Sequence, residues 1–287
     1  MTGTPLARLR QSDKWLRQAE VLQQGLSVRK AAQQIAVHRT TAFRWRHRFL
    51  DWPRTLKPAA LQGVAEADEL YELRSCKGQR QQLAQLARPA RRRGGSAAKR
   101  GISDEHVPVL VLRDRSGATT DFVLPRNNKA SVVQVLPQAL AADVVLCTDG
   151  SSMLAAAARD LDIEHQALNT LKGERRRGAW HIQNVNGYHS RFKTWMRRFN
   201  GIATSYLESY LGWFRPCAEA RAGHGLERRK KSSEHARCAG QPQHIAQLGH
   251  RREGSVALPV GPHCCQVLVV GCPVQLIECL FDDNCME

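Results

Sequence analysis

Apolar positions along the chain change spacing twice. From residue 15 to 50 they recur every three to four positions, the spacing of one helix face. Trp15, Ala19, Val21 and Leu22 mark a first helix that ends at Gly25. Val28, Ala31, Ala32 and Ile35 mark a second, with Ser27 as its N-cap. After a break at Ala36-Val37-His38, Thr40 opens a third, with Ala42, Trp45 and Phe49 on one face. Pro53 and Pro58 then predict the end of the helical region and a linker over 51–60. Beyond it the spacing shortens. Val107–Arg113 and Ala118–Leu124 read as a strand pair about the turn Asp114–Gly117. A helix over 129–141 bent at Pro137, a strand over 143–147, a small-residue helix over 153–161 and a strand over 164–168 follow. One long helix is expected from His181 to Arg215. Strands interleaved with helices predict an α/β domain with a mixed sheet.

Charge adds a partner class. The 287 residues hold 43 Lys and Arg against 26 Asp and Glu, a formal charge of +17, which favours polyanions and above all nucleic acid. Two short helices about a tight turn, the second one basic, form a helix-turn-helix pattern, although its turn lacks the usual Gly. Thr40, Thr41, Arg44, His47 and Arg48 of the second helix are its candidate DNA contacts. The same pattern also suits a small bundle with solvated arginines. Residues 77–106, centred on Arg91, Arg92 and Arg93, read as a mobile basic segment, and Arg175, Arg176 and Arg177 form a second basic loop. Either could clamp phosphate in a salt-dependent way. No apolar run reaches bilayer-spanning length and the N-terminus lacks a signal-peptide stretch, so no membrane role and a cytoplasmic location are expected.

The nine cysteines break the pattern: only Cys76 and Cys147 precede residue 216, and the other seven follow it. His263, Cys264, Cys265 and Cys272 lack paired Cys-x-x-Cys knuckles, so a frameshifted tail is favoured over a zinc module.

The chemistry gathers on acidic residues. Asp149 stands just past an apolar strand and Asp68 lies in the run Glu66-Ala67-Asp68-Glu69. Carboxylates so placed are natural ligands for hard cations such as Mg²⁺. Asp149-Gly150 is equally a common turn, and Glu69, on the opposite face of a strand, rivals Asp68.

The segments LARLRQSDKW, GLSVRKAA, TAFRWRHRFL, ADELYEL with KGQR, KRGISDEHVPVLVLRDRSGATTDFVL, CTDG and HIQNVNGYHSRFKTWMRRFNGIATSYLESYLGWFR carry a resemblance. Together they resemble DDE-type insertion-sequence transposases of the IS-fifteen-ninety-five (ISXO-two-like) family, from about residue 2 to Arg215. The resemblance implies an RNase H-like mixed sheet with flanking helices, preceded by a small all-α helix-turn-helix domain. It implies Asp68 and Asp149 as metal ligands and places the third position on Asn186, as in the Asp-Asp-Asn-Lys subgroup. Lys193, seven positions on, falls on the same helix face and would hold DNA phosphate. Alternatively Asn186 is an ordinary helix residue and Glu66 or Glu69 supplies the third charge. His181 and His189 are read as structural.

The implied function is cleavage and strand transfer at terminal inverted repeats of double-stranded DNA. Two Mg²⁺ ions, replaceable by Mn²⁺, would serve a homodimer. The domains expected are 1–52, 60–215 and a tail over 216–287. Relative to the family pattern, the N-terminal zinc ribbon and the usual C-terminus are expected to be missing. A DNA-binding remnant without catalysis is the alternative.

Overall fold

The computed structural model describes residues 10–85, 91 and 95–219. The cysteine-rich tail from 220, together with Arg92 and Arg93, lies outside these residues. Three helices come first: α1 (Trp15–Gln23), α2 (Val28–Ile35) and α3 (Arg39–Thr55). Strand β1 (Val64–Leu73) leads to the short α4 (Arg80–Gln85), then to β2 (His106–Asp114) and β3 (Thr119–Val123). Helix α5 (Lys129–Val135), β4 (Val145–Thr148), α6 (Ser152–Asp160) and β5 (Glu164–Ala167) follow. A small hairpin of β6 (Arg176–Arg177) and β7 (Trp180–His181) precedes α7 (Gln183–Met196), and residues 207–219 form a last helix, α8.

Five strands make one sheet in the order β3-β2-β1-β4-β5, with β1–β2 and β2–β3 antiparallel and β1–β4 and β4–β5 parallel. This is the RNase H-like mixed sheet that the resemblance implies. Both faces are covered, which is why its central strands read as near-continuous apolar runs. Ala65, Ala67, Leu110, Leu112 and Leu146 face α5 and α6. Leu70, Val109, Val111 and Cys147 face α7, whose Val185, Tyr188, Phe192 and Trp195 recur at helical spacing. Among the described residues, no helix is long and apolar enough to cross a membrane.

Local chemistry sets several boundaries. The Ser27 side chain accepts from the Lys30 N–H and caps α2, as its position predicts. The turn after α2 needs a left-handed residue; Ala36 takes it, at φ 58°, which is how the turn forms without Gly. Pro137 converts the end of α5 into a 3-10 turn at Leu136–Gln138. Two expectations are corrected. Pro53 does not end α3, which runs on to Thr55 with the proline in its final turns. The long helix expected from His181 to Arg215 is two helices, because Asn200 adopts a left-handed conformation at φ 54° and stops the first.

The helical N-terminus is also no separate body. Trp15, Ile35, Trp45, Phe49 and Leu50 share one apolar core with Trp195, Phe199, Tyr210, Trp213 and Phe214. Arg46 is fully buried within it, donating to the Leu26 carbonyl and lying over the Phe199 and Trp213 rings. Buried Arg215 joins Asp121 of β3 to the carbonyls of Pro53, Arg54 and Leu56 at the end of α3. The ordered core therefore continues past residue 215: Ala218 is buried, and the Glu219 carboxylate accepts from the Thr119 N–H.

Candidate active site

Strands β1 and β4 run side by side in parallel, with Glu66 paired to Cys147. Two residues beyond that pair stand Asp68, within β1, and Asp149, just past the end of β4, and continuing the two-residue period turns both toward the α7 face. Gly150 lets the chain leave β4 at once. Its φ of 86° and the Leu168 carbonyl oxygen, 2.9 Å from where a Cβ would stand, leave room for no side chain. Asp149 is then steadied by the Ser151 N–H, which donates to its Oδ1 at 3.0 Å.

Burial pushes the Asp149 carboxyl upward, and the neighbouring Asp68 charge pushes it further. Glu69, on the other face of β1, is raised to about 7 by burial and by the charges of Asp68 and Asp149. Glu69 and Asp149 thus both feel the Asp68 charge. From α7, His189 brings Nδ1 to 3.5 Å from Asp68 Oδ2. Asn186 is exposed one turn earlier on the same helix. Burial pushes the Glu72 carboxyl up, and the exposed Lys193 only partly offsets this. Among the described residues, no three His, Cys, Asp or Glu side chains close into a metal-binding cluster. A set of two aspartates and an amide is not such a cluster.

Glu66 is not available as a third ligand, which corrects one alternative read from the sequence. It is fully buried, and its carboxylate accepts from the backbone N–H groups of Asn184 (2.8 Å) and Val185 (3.0 Å) and from Asn184 Nδ2 (2.9 Å). Arg115 completes the ring with an ion pair to Glu66 Oε1. Burial pushes this carboxyl up, while the Val185 N–H and Arg115 pull it back. Arg115 also meets the His181 ring, at 2.8 Å from Nε2, and donates to the Ala179 carbonyl. Sequence reasoning missed this network, although Glu66 lies two positions before Asp68 on the same strand face.

The model of the ISXO2-like transposase domain matches residues 60–215, more than half of the chain. The chain belongs to this transposase family. No curated protein matches it. Among solved structures, the simian T-cell lymphotropic virus intasome in complex with PP2A regulatory subunit B56 gamma is 10% identical, with a TM-score of 0.32, covering 87% of this chain and 79% of that one. The Mos1 mariner paired end complex with Mn is 12% identical, with a TM-score of 0.24, covering 75% and 80%. At these scores the fold rests on the strand order itself.

Ahead of the ISXO2-like domain, α3 exposes Thr40, Arg44 and Arg48 and half-exposes Thr41. His47 lines the same open groove as Arg44 and Arg48 but is less exposed than either. Its ring stacks on Tyr206 at 3.7 Å, its nitrogens are buried without partners, and burial and Arg46 lower its pKa to about 4. Its ring nitrogens are thus withdrawn from solvent, unlike the exposed Arg44 and Arg48 expected beside it as DNA contacts. Arg91 is likewise fastened: it pairs with Glu105 at 2.6 Å and donates to the Arg74 carbonyl. Within the ISXO2-like domain, Arg175, Arg176 and Arg177 are exposed on the β6–β7 hairpin, where Arg177 is held by Glu174.

Proposed function

We propose that this chain is a DDE-type DNA transposase that binds terminal inverted repeats and performs metal-dependent strand cleavage and strand transfer. The observation that carries the reading is the placement of Asp68 on β1 beside Asp149, just past the end of the adjacent β4, where burial and the Asp68 charge push the Asp149 carboxyl up. Such a pair fits a hard divalent cation, which would relieve that repulsion and prefers oxygen donors. Asp68 and Asp149 would hold the metal, with the Asn186 amide oxygen as a neutral third donor. A bound pair of Mg²⁺ or Mn²⁺ ions would supply activation of the attacking oxygen and stabilisation of the leaving one.

The remaining residues bind and orient DNA. Lys193, on the same helix as Asn186, presents its ammonium to the phosphate beside the carboxylates. Thr40, Thr41, Arg44 and Arg48 read the inverted repeat from the exposed face of α3. The arginines of the β6–β7 hairpin hold the backbone of the flanking duplex. A homodimer would bring two ends together.

The test uses the full chain and a duplex carrying the element's own end. Nicking should require Mg²⁺ or Mn²⁺ and fall by about 1,000-fold in Asp149→Ala, roughly 4 kcal/mol of transition-state stabilisation. Repeat binding in EDTA should be unchanged. Equal cleavage by the variant defeats the assignment. Binding by the wild-type chain without nicking at any metal concentration instead identifies a DNA-binding remnant.

A further inference from the structure

The Glu66 ring does more than close a buried charge. Its carboxylate receives two N–H groups of the first turn of α7, the Asn184 side chain and Arg115, so a single side chain ties β1 to two other elements. Arg115, in the β2–β3 turn, extends the tie to the β6–β7 hairpin through Ala179 and His181. Every group with a proposed role in catalysis therefore stands on an element joined at Glu66 or on the strand paired with it: Asp68 on β1, Asn186 and Lys193 on α7, and Asp149 after β4.

The spacing shows what the tie fixes. From Val185, held by Glu66, to His189, which meets Asp68, α7 advances four residues, about 6 Å. From Glu66 to Asp68, β1 advances two residues, about 6.6 Å. Helix and strand therefore keep pace only in this register. Slipping α7 by one residue would turn Asn186 and His189 together by about 100° and carry both away from the strand that bears Asp68.

We propose that Glu66 is a positioning residue that sets the register of α7 against β1, and so delivers Asn186 to the Asp68–Asp149 pair. The inference rests on the transposase reading above. Second-layer groups of this kind change metal affinity or activity by roughly 10- to 100-fold when removed.

Glu66→Gln is the direct test, since it keeps the volume but turns an amide group toward N–H donors. Mn²⁺ binding followed by electron paramagnetic resonance on the full-length protein should weaken at least tenfold. Nicking at saturating DNA should fall by a similar or larger factor, with metal-free repeat binding within twofold of wild type. Asn184→Ala removes a single donor from a half-exposed position and should show the same pattern, at about threefold to tenfold; it decides the question if Glu66→Gln fails to fold. Wild-type Mn²⁺ affinity and nicking rate in a folded variant overturn the inference and leave the transposase reading intact. A wild-type chain that neither binds Mn²⁺ nor nicks overturns both.

Discussion

Gly212 lies within α8, where the side-chain-free position faces the end of α3. A Cβ built there would stand 2.6 Å from Arg54 Cα, 2.7 Å from the Pro53 carbonyl oxygen and 2.8 Å from the Arg54 nitrogen. All three obstacles are backbone, so no rotamer change removes them. Gly212→Ala therefore sets two effects against each other. Helix propensity favours alanine by about 1 kcal/mol. Forcing α8 and α3 apart costs about 3 kcal/mol, the upper end of the overpacking range, because main chain rather than a side-chain tip must move. The displacement is also felt one turn later, where Arg215 donates to the Pro53, Arg54 and Leu56 carbonyls while paired with buried Asp121. The net expectation is a loss of about 2 kcal/mol, or roughly 4–8 °C in Tm for a body of this size. Urea denaturation followed by tryptophan fluorescence reads the seam directly, since Trp45, Trp195 and Trp213 line the shared core. A variant as stable as wild type would show that α3 and α8 do not pack against each other, and the continuous core would have to be abandoned.

Two further outcomes are expected. Ala36→Gly should stabilise the chain by about 0.5–1 kcal/mol, since relief of left-handed strain exceeds the added entropy of glycine in the unfolded chain; an unchanged or lower Tm refutes that conformation. His47, with its folded pKa lowered from 6.5 to about 4, is neutral in the fold while the unfolded chain takes up a proton. Its contribution is thus full above pH 6.5 and is lost as pH falls toward 4. His47→Phe keeps a ring against Tyr206 and should remove this pH dependence, so that its difference in stability from wild type changes across that window; parallel pH profiles would refute the buried stack.

Much of the fold was legible because its strands are short, apolar and bounded by turns. The predicted strands over 107–113, 118–124, 143–147 and 164–168 differ from the observed ones by one or two residues at their ends. Ser27 was readable as a cap because capping is local chemistry. The errors lie where a distant partner decides. Nothing within α3 announces that Trp45 and Arg46 will be covered by Phe199 and Trp213, so a linker seemed natural where the structure has a shared core. Asn200 looked like any polar residue in an amphipathic run, and its left-handed turn emerges only when α8 folds back. Asp68 and Asp149 are readable as candidates from strand position and resemblance. Glu66 was weighed as a metal ligand because a carboxylate in an acidic run carries no mark of being consumed by the amides of a helix more than a hundred residues later.

The burial of Arg46 beneath two aromatic rings has a consequence for geometry on DNA. A helix anchored in this way cannot swivel on a tether. Its solvent face and the two aspartates stand at a set separation, like the jaw and blade of one tool. On the proposed transposase reading, α3 seated on a repeat would select the scissile bond by measurement rather than by search, and lengthening the duplex between them by a few base pairs should carry the cut out of reach.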